Sequence, residues 1–180
     1  MSHPQEVLIS ASDYLDYDVD MLLATARWLH SNPRGDLISN AVLESFLIHA
    51  RTLIEFLSGQ GRGNAVRAPD FFDGEPEGSY VPDVSPFLQT TKDRISTHLA
   101  HLTTEPLHDL RSTIGWDVKR IILDLWAALT PFYGAVPSHA VLPDYPDRYA
   151  RFKERAAFWT TSPPQPGEQE AVSADSDFIP

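Results

Sequence analysis

One stretch, D-R-I-S-T-H-L-A-H-L-T-T-E over residues 93–105, gathers the side chains best suited to chemistry. Read as a helix, it places Arg94, His98, His101 and Glu105 at i, i+4, i+7 and i+11, within about 60° of one another around the axis. Leu88, Ile95, Leu99 and Leu102 fall on an adjoining side, so the polar row borders an apolar face and is expected half-buried at a groove. In such a place an arginine offers phosphate a planar fork of donors, and a neutral histidine can take or give a proton. Together these groups suit metal-independent RNA cleavage. One residue activates the ribose 2′-hydroxyl or protonates the leaving 5′-oxygen, and the other stabilises the charged phosphorane. The same row on an ordinary solvated helix edge has no chemical role, and spacing alone does not separate the two readings.

Composition bounds the setting. The chain has 180 residues, 42% of them hydrophobic, which is enough for one domain with a sizeable core and short for two. The absence of cysteine excludes disulfides, zinc–thiolate sites, iron–sulfur clusters and thiol nucleophiles, and fits a reducing compartment such as the cytoplasm. The opening M-S-H-P-Q-E has no basic start followed by an apolar run, and no segment reaches about 18 uninterrupted apolar residues, so a soluble, unexported protein with no membrane segment is expected. The net charge of −11 is unevenly spread: residues 1–20 hold five acids and 160–180 hold four, with no Lys or Arg in either. Without those nine acids, residues 21–159 stand near −2. Five of the remaining acids, Asp70, Asp73, Glu75, Glu77 and Asp83, sit in one connection, so the helical remainder is slightly basic and an RNA partner stays open.

The elements that must hold the row all read as helices. No segment alternates apolar and polar residues long enough for a strand, so the fold class is all-α, a helical bundle of four to five helices. Helices are expected over about 17–31, from a cap at Asp36 or Ser39 to about Leu57, over 86–104, from between Pro106 and Trp116 to Thr130 where Pro131 stops it, and over a last short segment near 145–159. The domain is expected to span residues 1–160, with a long acidic Gly/Pro-rich loop at 59–86, either a lid or a mobile insertion, and a disordered acidic tail at 161–180. Leu22, Val42, Phe46, Leu53, Leu99, Ile122 and Leu125 are the expected core.

Two further helices carry informative polar residues. In the second, Asn40, Glu44, Arg51 and Glu55 form one narrow row on an otherwise apolar cylinder, with His49 opposite. Arg51 and Glu55 at i, i+4 suit a structural ion pair. In the last, Arg148, Arg151, Lys153 and Arg155 alternate with Tyr145, Tyr149, Phe152 and Trp159. Arg148, Arg151 and Arg155 are candidate RNA-binding residues, since cations meet phosphate and rings stack bases; equally, such a helix docks by its rings and stays solvated by its charges. His98-x2-His101 with Glu105, or Glu105-x2-His108, is an incomplete metal set of the Glu-x-x-His kind, with Pro106 inside the second, so no metal or other cofactor is expected. No P-loop or dinucleotide-binding glycine pattern is present.

An all-α chain of this size with Arg94-x6-His101 on a late helix resembles the HEPN superfamily (higher eukaryotes and prokaryotes nucleotide-binding), whose hallmark is arginine, four to six residues, then histidine. The likeness covers about residues 17–130. It implies that Arg94 and His101 are a catalytic pair in a homodimer whose motif helices meet in one RNA-cutting groove, with His98, Glu105 and Arg51 supporting it. Such proteins often serve toxin–antitoxin or phage-defence systems, so RNA and a cognate antitoxin are the implied partners. Ile95 stands where active members usually carry a polar residue, which keeps a non-catalytic binding or scaffold module as the alternative.

Overall fold

The computed structural model describes residues 3–32, 37–59, 65–76, 80–81, 83–100, 115–141 and 144–161. Among them lie five α-helices and no strand: α1 Gln5–Ser31, α2 Leu37–Ser58, α3 Pro86–Ala100, α4 Val118–Ala135 and α5 Tyr145–Thr161. The fold is all-α.

α1 begins well before the expected residue 17. Its inward seam, Leu8, Ser12, Leu15, Val19, Leu22, Ala26 and Leu29, keeps helical spacing throughout. Ser12 breaks the apolar pattern, yet it is buried and donates its hydroxyl to the Ile9 carbonyl at 2.7 Å. α2 is the central helix, packing on α1, α3 and α4. By length and composition alone it is long and apolar enough to cross a membrane, and its inward side supplies Phe46, Ala50, Leu53, Ile54 and Leu57, all fully buried.

Of the expected core, Leu22, Phe46, Leu53, Ile122 and Leu125 are buried, and Val42 packs against them from the margin. Leu99 is not in the core, being 37% exposed in the last turn of α3; Leu88, Thr91 and Ile95 take that helix's inward positions. The connection at 59–86 is not loose where it is described. Ala68–Phe72 forms a 3-10 turn whose buried Phe71 meets Phe56 and Phe132 edge to face at 5.9 and 5.4 Å, and Tyr80 stacks on Phe72 at 4.7 Å. Pro131 does not stop α4, which runs on to Ala135. Pro131 and Ala127 lie on the exposed side, where water can bond the carbonyl that proline leaves without a donor, while Phe132 and Tyr133 anchor the next turn in the core. The expected ends at 104 and 106, and the tail at 162–180, lie outside the described residues.

Candidate functional site

Side-chain caps start both α3 and α4, and the first also ties the two helices together. Ser85, before the first turn of α3, accepts the Leu88 N–H at 3.2 Å and donates to Asp124 of α4 at 2.7 Å. Asp117 caps α4 by accepting the Arg120 N–H at 2.8 Å. The residue before that cap, Trp116, comes to rest on the edge of α3. The Arg94 guanidinium lies over its ring, 4.6 Å from the centroid, and the His98 imidazole meets the same indole edge-on at 6.3 Å. One turn away Arg120 lies over Phe87 at 4.0 Å. The α3–α4 edge thus carries two cation–ring pairs and a histidine.

Arg94 and His98 are half-buried, as the spacing requires. Among the described residues no carboxylate lies within ion-pair distance of Arg94 or Arg120. A guanidinium stacked on a ring keeps its in-plane N–H donors free for phosphate oxygens. Sequence reasoning passed over Trp116, because no helical period links it to α3. Its only signal is an aromatic residue just outside a helix cap. His101, Glu105 and His108 lie outside the described residues, so the second half of the Arg94-x6-His101 spacing has no geometry here. Among the described residues no three His, Asp or Glu side chains gather as a metal site.

Arg51 donates Nε–H to Glu55 Oε1 at 2.8 Å, the i,i+4 pair read from spacing, so its guanidinium is engaged within α2. His49 Nδ1 meets Asp18 Oδ1 of α1 at 2.7 Å, and the Tyr17 ring stands edge-on to it at 5.7 Å.

α5 docks by its rings, one of the two readings its sequence allows. Tyr145, Phe152 and Trp159 are buried, and Tyr149 stacks on Tyr133 at 5.5 Å, so these rings hold the helix to the bundle. Arg148 donates to Asp13 at 3.1 Å, to Asp16 at 2.7 Å and to Asp144 at 2.9 Å, while Arg155 pairs with Asp20. The acids at the head of the chain, which looked like a charged end, are the counterions of α5. Of the three candidate arginines only Arg151 is exposed with no carboxylate at ion-pair distance among the described residues.

The seam between α1, α4 and α5 is electrostatically tuned. Burial pushes the Asp16 carboxyl up, against the opposing hydrogen bonds from Arg148 and Tyr133. Burial also raises the Tyr133 phenol, which donates to Asp16 Oδ1 at 3.0 Å, and the Tyr145 phenol, which donates to the Tyr133 carbonyl at 3.2 Å. The Arg148 hydrogen bond holds Asp144 below the usual carboxylate range, and Asp144 and Asp16 in turn keep Arg148 charged. No family model, curated protein or solved structure matches the chain.

Proposed function

We propose that the chain is a HEPN-type helical protein that binds RNA at the α3 edge through Arg94 and cleaves it without metal, with His101 as the proton-transfer residue. The observation that carries the reading is the Arg94 guanidinium stacked 4.6 Å over Trp116, with no carboxylate to engage it among the described residues. The ring fixes the guanidinium plane, so its donors form a ready fork for a non-bridging phosphate oxygen pair. In the reaction, His101 takes the proton of the ribose 2′-hydroxyl as that oxygen attacks phosphorus. The bond to the 5′-oxygen breaks, and the leaving oxygen takes a proton from His98 or water, giving a cyclic phosphate and a free 5′-hydroxyl. Arg94 offsets the charge of the phosphorane.

Two copies joined across α3 would place two such pairs in one groove, and the exposed Leu99 on that helix offers an apolar contact for the join. A cytoplasmic toxin–antitoxin or phage-defence role with a cognate antitoxin follows from the same resemblance. The deciding experiment incubates purified protein with total RNA in EDTA, wild type beside His101→Ala and Arg94→Ala. Wild type should cleave, His101→Ala should be slower by about 10²–10⁴-fold with its circular dichroism intact, and Arg94→Ala should also bind RNA more weakly. Binding without cleavage in the wild type would leave an RNA-binding module, and absence of both would defeat the reading. A non-catalytic module is the second reading, favoured by Ile95: the residue after Arg94 is buried in the core, turned away from the edge.

A further inference from the structure

The α3–α4 edge holds the cation–ring arrangement twice, with the two helices exchanging parts. Arg94 of α3 lies over Trp116, the residue before the α4 cap, at 4.6 Å, and Arg120 of α4 lies over Phe87 of α3 at 4.0 Å. The helices run antiparallel here, since Ser85 meets Asp124, Phe87 meets Arg120 and Arg94 meets Trp116 in opposite chain order. Phe87, Arg94 and His98, at i, i+7 and i+11, share one side of α3, so the two pairs and the imidazole lie in a single row. Phe87 and Arg94 are separated by about 10 Å of helix rise, so the two guanidinium groups serve two phosphates rather than one.

Charge and exposure leave Arg120 available. It is exposed, and among the described residues no carboxylate lies within ion-pair distance of its guanidinium. In a chain of net charge −11, α3, α4 and the α4 cap hold Lys92, Arg94, Lys119 and Arg120 against Asp93, Asp117 and Asp124. Each of these acids already has a partner: Asp93 lies 3.6 Å from Lys92 Nζ, Asp117 accepts the Arg120 N–H and Asp124 accepts the Ser85 hydroxyl. One face of each ring is taken by a guanidinium, and both rings pack against the core. The rings therefore orient cations and offer bases no open platform. The row follows one line, as the backbone of an extended single strand does. We propose that Arg120, seated on Phe87, binds a second phosphate of the RNA strand held by Arg94, so that the edge grips single-stranded RNA by its backbone at two points without reading its bases. The proposal rests on RNA binding at Arg94 and not on cleavage.

The test measures binding of the full chain to a short labelled 2′-O-methyl oligouridylate, which lacks the attacking hydroxyl and stays intact, by fluorescence anisotropy across a salt series. Arg120→Ala should weaken binding about threefold or more and flatten the slope of log affinity against log salt by about 0.7, the value for one phosphate contact on a single strand. Arg94→Ala should flatten it equally, and the double variant by about 1.4. The Asp117 cap uses the backbone N–H of Arg120, so Arg120→Ala should keep full helicity. Arg27→Ala, which removes a guanidinium lying 5.2 Å over Phe158 between α1 and α5, should bind as wild type. Oligoadenylate should bind within about threefold of oligouridylate. Weakening in Arg94→Ala alone, with Arg120→Ala at wild-type affinity and slope, would overturn the proposal and leave RNA binding at Arg94 standing. An equal loss in Arg27→Ala would mean that any surface arginine contributes, and a preference for oligoadenylate above about tenfold would mean that bases stack on the edge; either would overturn it. No RNA binding by the wild type would defeat the proposed function itself, and this proposal with it.

Discussion

Arg148 and Arg94 are both arginines beside aromatic rings, yet their surroundings give them opposite uses. Arg148 is met by Asp13, Asp16 and Asp144, so its charge is spent inside the molecule, where it opposes the burial that raises the Asp16 carboxyl. Arg148→Met should therefore destabilise the fold by about 2–4 kcal/mol at neutral pH, since it strands a half-buried carboxylate. The pH dependence has a definite sign. With the arginine gone, only the Tyr133 hydrogen bond opposes burial, and Asp16 holds its proton to higher pH in the folded variant than in the folded wild type. The loss should then be smaller at acid pH, where Asp16 is protonated, and grow as the pH rises and the stranded carboxylate ionises. Thermal melts of wild type and variant at pH 4 and pH 7 check this, and an equal gap at both would refute it. Arg94 is engaged by a ring and, among the described residues, by no acid. On the proposed RNA-binding role of the α3 edge, Arg94→Lys, which keeps the charge but loses the planar fork, should lower RNA affinity about as far as Trp116→Ala, roughly three- to tenfold in filter binding. Full affinity in both would leave the stack without a role in binding.

The helices with continuous apolar seams, α2 and the body of α4, could be read from sequence because their periodicity is undisturbed. What escaped was each element whose signal depends on a partner distant in the chain. The first half of α1 was hidden by Ser12 and by acids whose meaning comes only from Arg148 and Arg155, more than 130 residues away. The packing of Ala68–Phe72 was hidden in a stretch of Gly, Pro and acids, where a single aromatic, Phe71, decides the matter by filling a space between Phe56 and Phe132. Phe71→Ala should cost about 3–5 kcal/mol in urea denaturation, the cost of emptying a core site; a loss under 1 kcal/mol would return this segment to a peripheral role. Pro131 misled for another reason. The cost of proline falls where the freed carbonyl faces water and the following turn is anchored. Pro131→Ala should then stabilise by about 1 kcal/mol, well short of the roughly 3 kcal/mol of a fully interior proline, and a destabilisation would mean that α4 requires the bend.

Taken together, the five helices close on a seam where the two ends of the described chain meet: α1 with its acids, α5 with its arginines, and the tyrosines of α4 and α5 between them. Gln5 at the start of α1 donates to the His139 carbonyl at 2.8 Å, which ties that helix to the turn between α4 and α5. Such a seam answers to alkali more than to acid. Burial holds the Tyr133 and Tyr145 phenols well above the ordinary value near 10 and pushes Tyr80 up to about 12, because a phenolate in these places would lose its solvation beside aromatic neighbours and, for Tyr133, beside Asp16. Each phenol is thus protonated more firmly in the folded chain than in the unfolded one. The stability this contributes is fully present below about pH 10 and is lost as the pH rises through the folded-state values. Helicity at 222 nm should therefore hold from neutral pH to about 10 and then fall cooperatively, with phenolate absorbance at 295 nm rising in the same transition as the buried rings ionise on unfolding. Tyr133→Phe separates the two contributions of that residue. It removes a buried acid, so the alkaline midpoint should move up, while the lost hydrogen bond to Asp16 should lower stability at pH 7 by about 1 kcal/mol. Should all six tyrosines ionise by pH 12 with helicity unchanged, the phenols are not sealed in the seam, and the contact between α1, α4 and α5 is looser than the geometry describes.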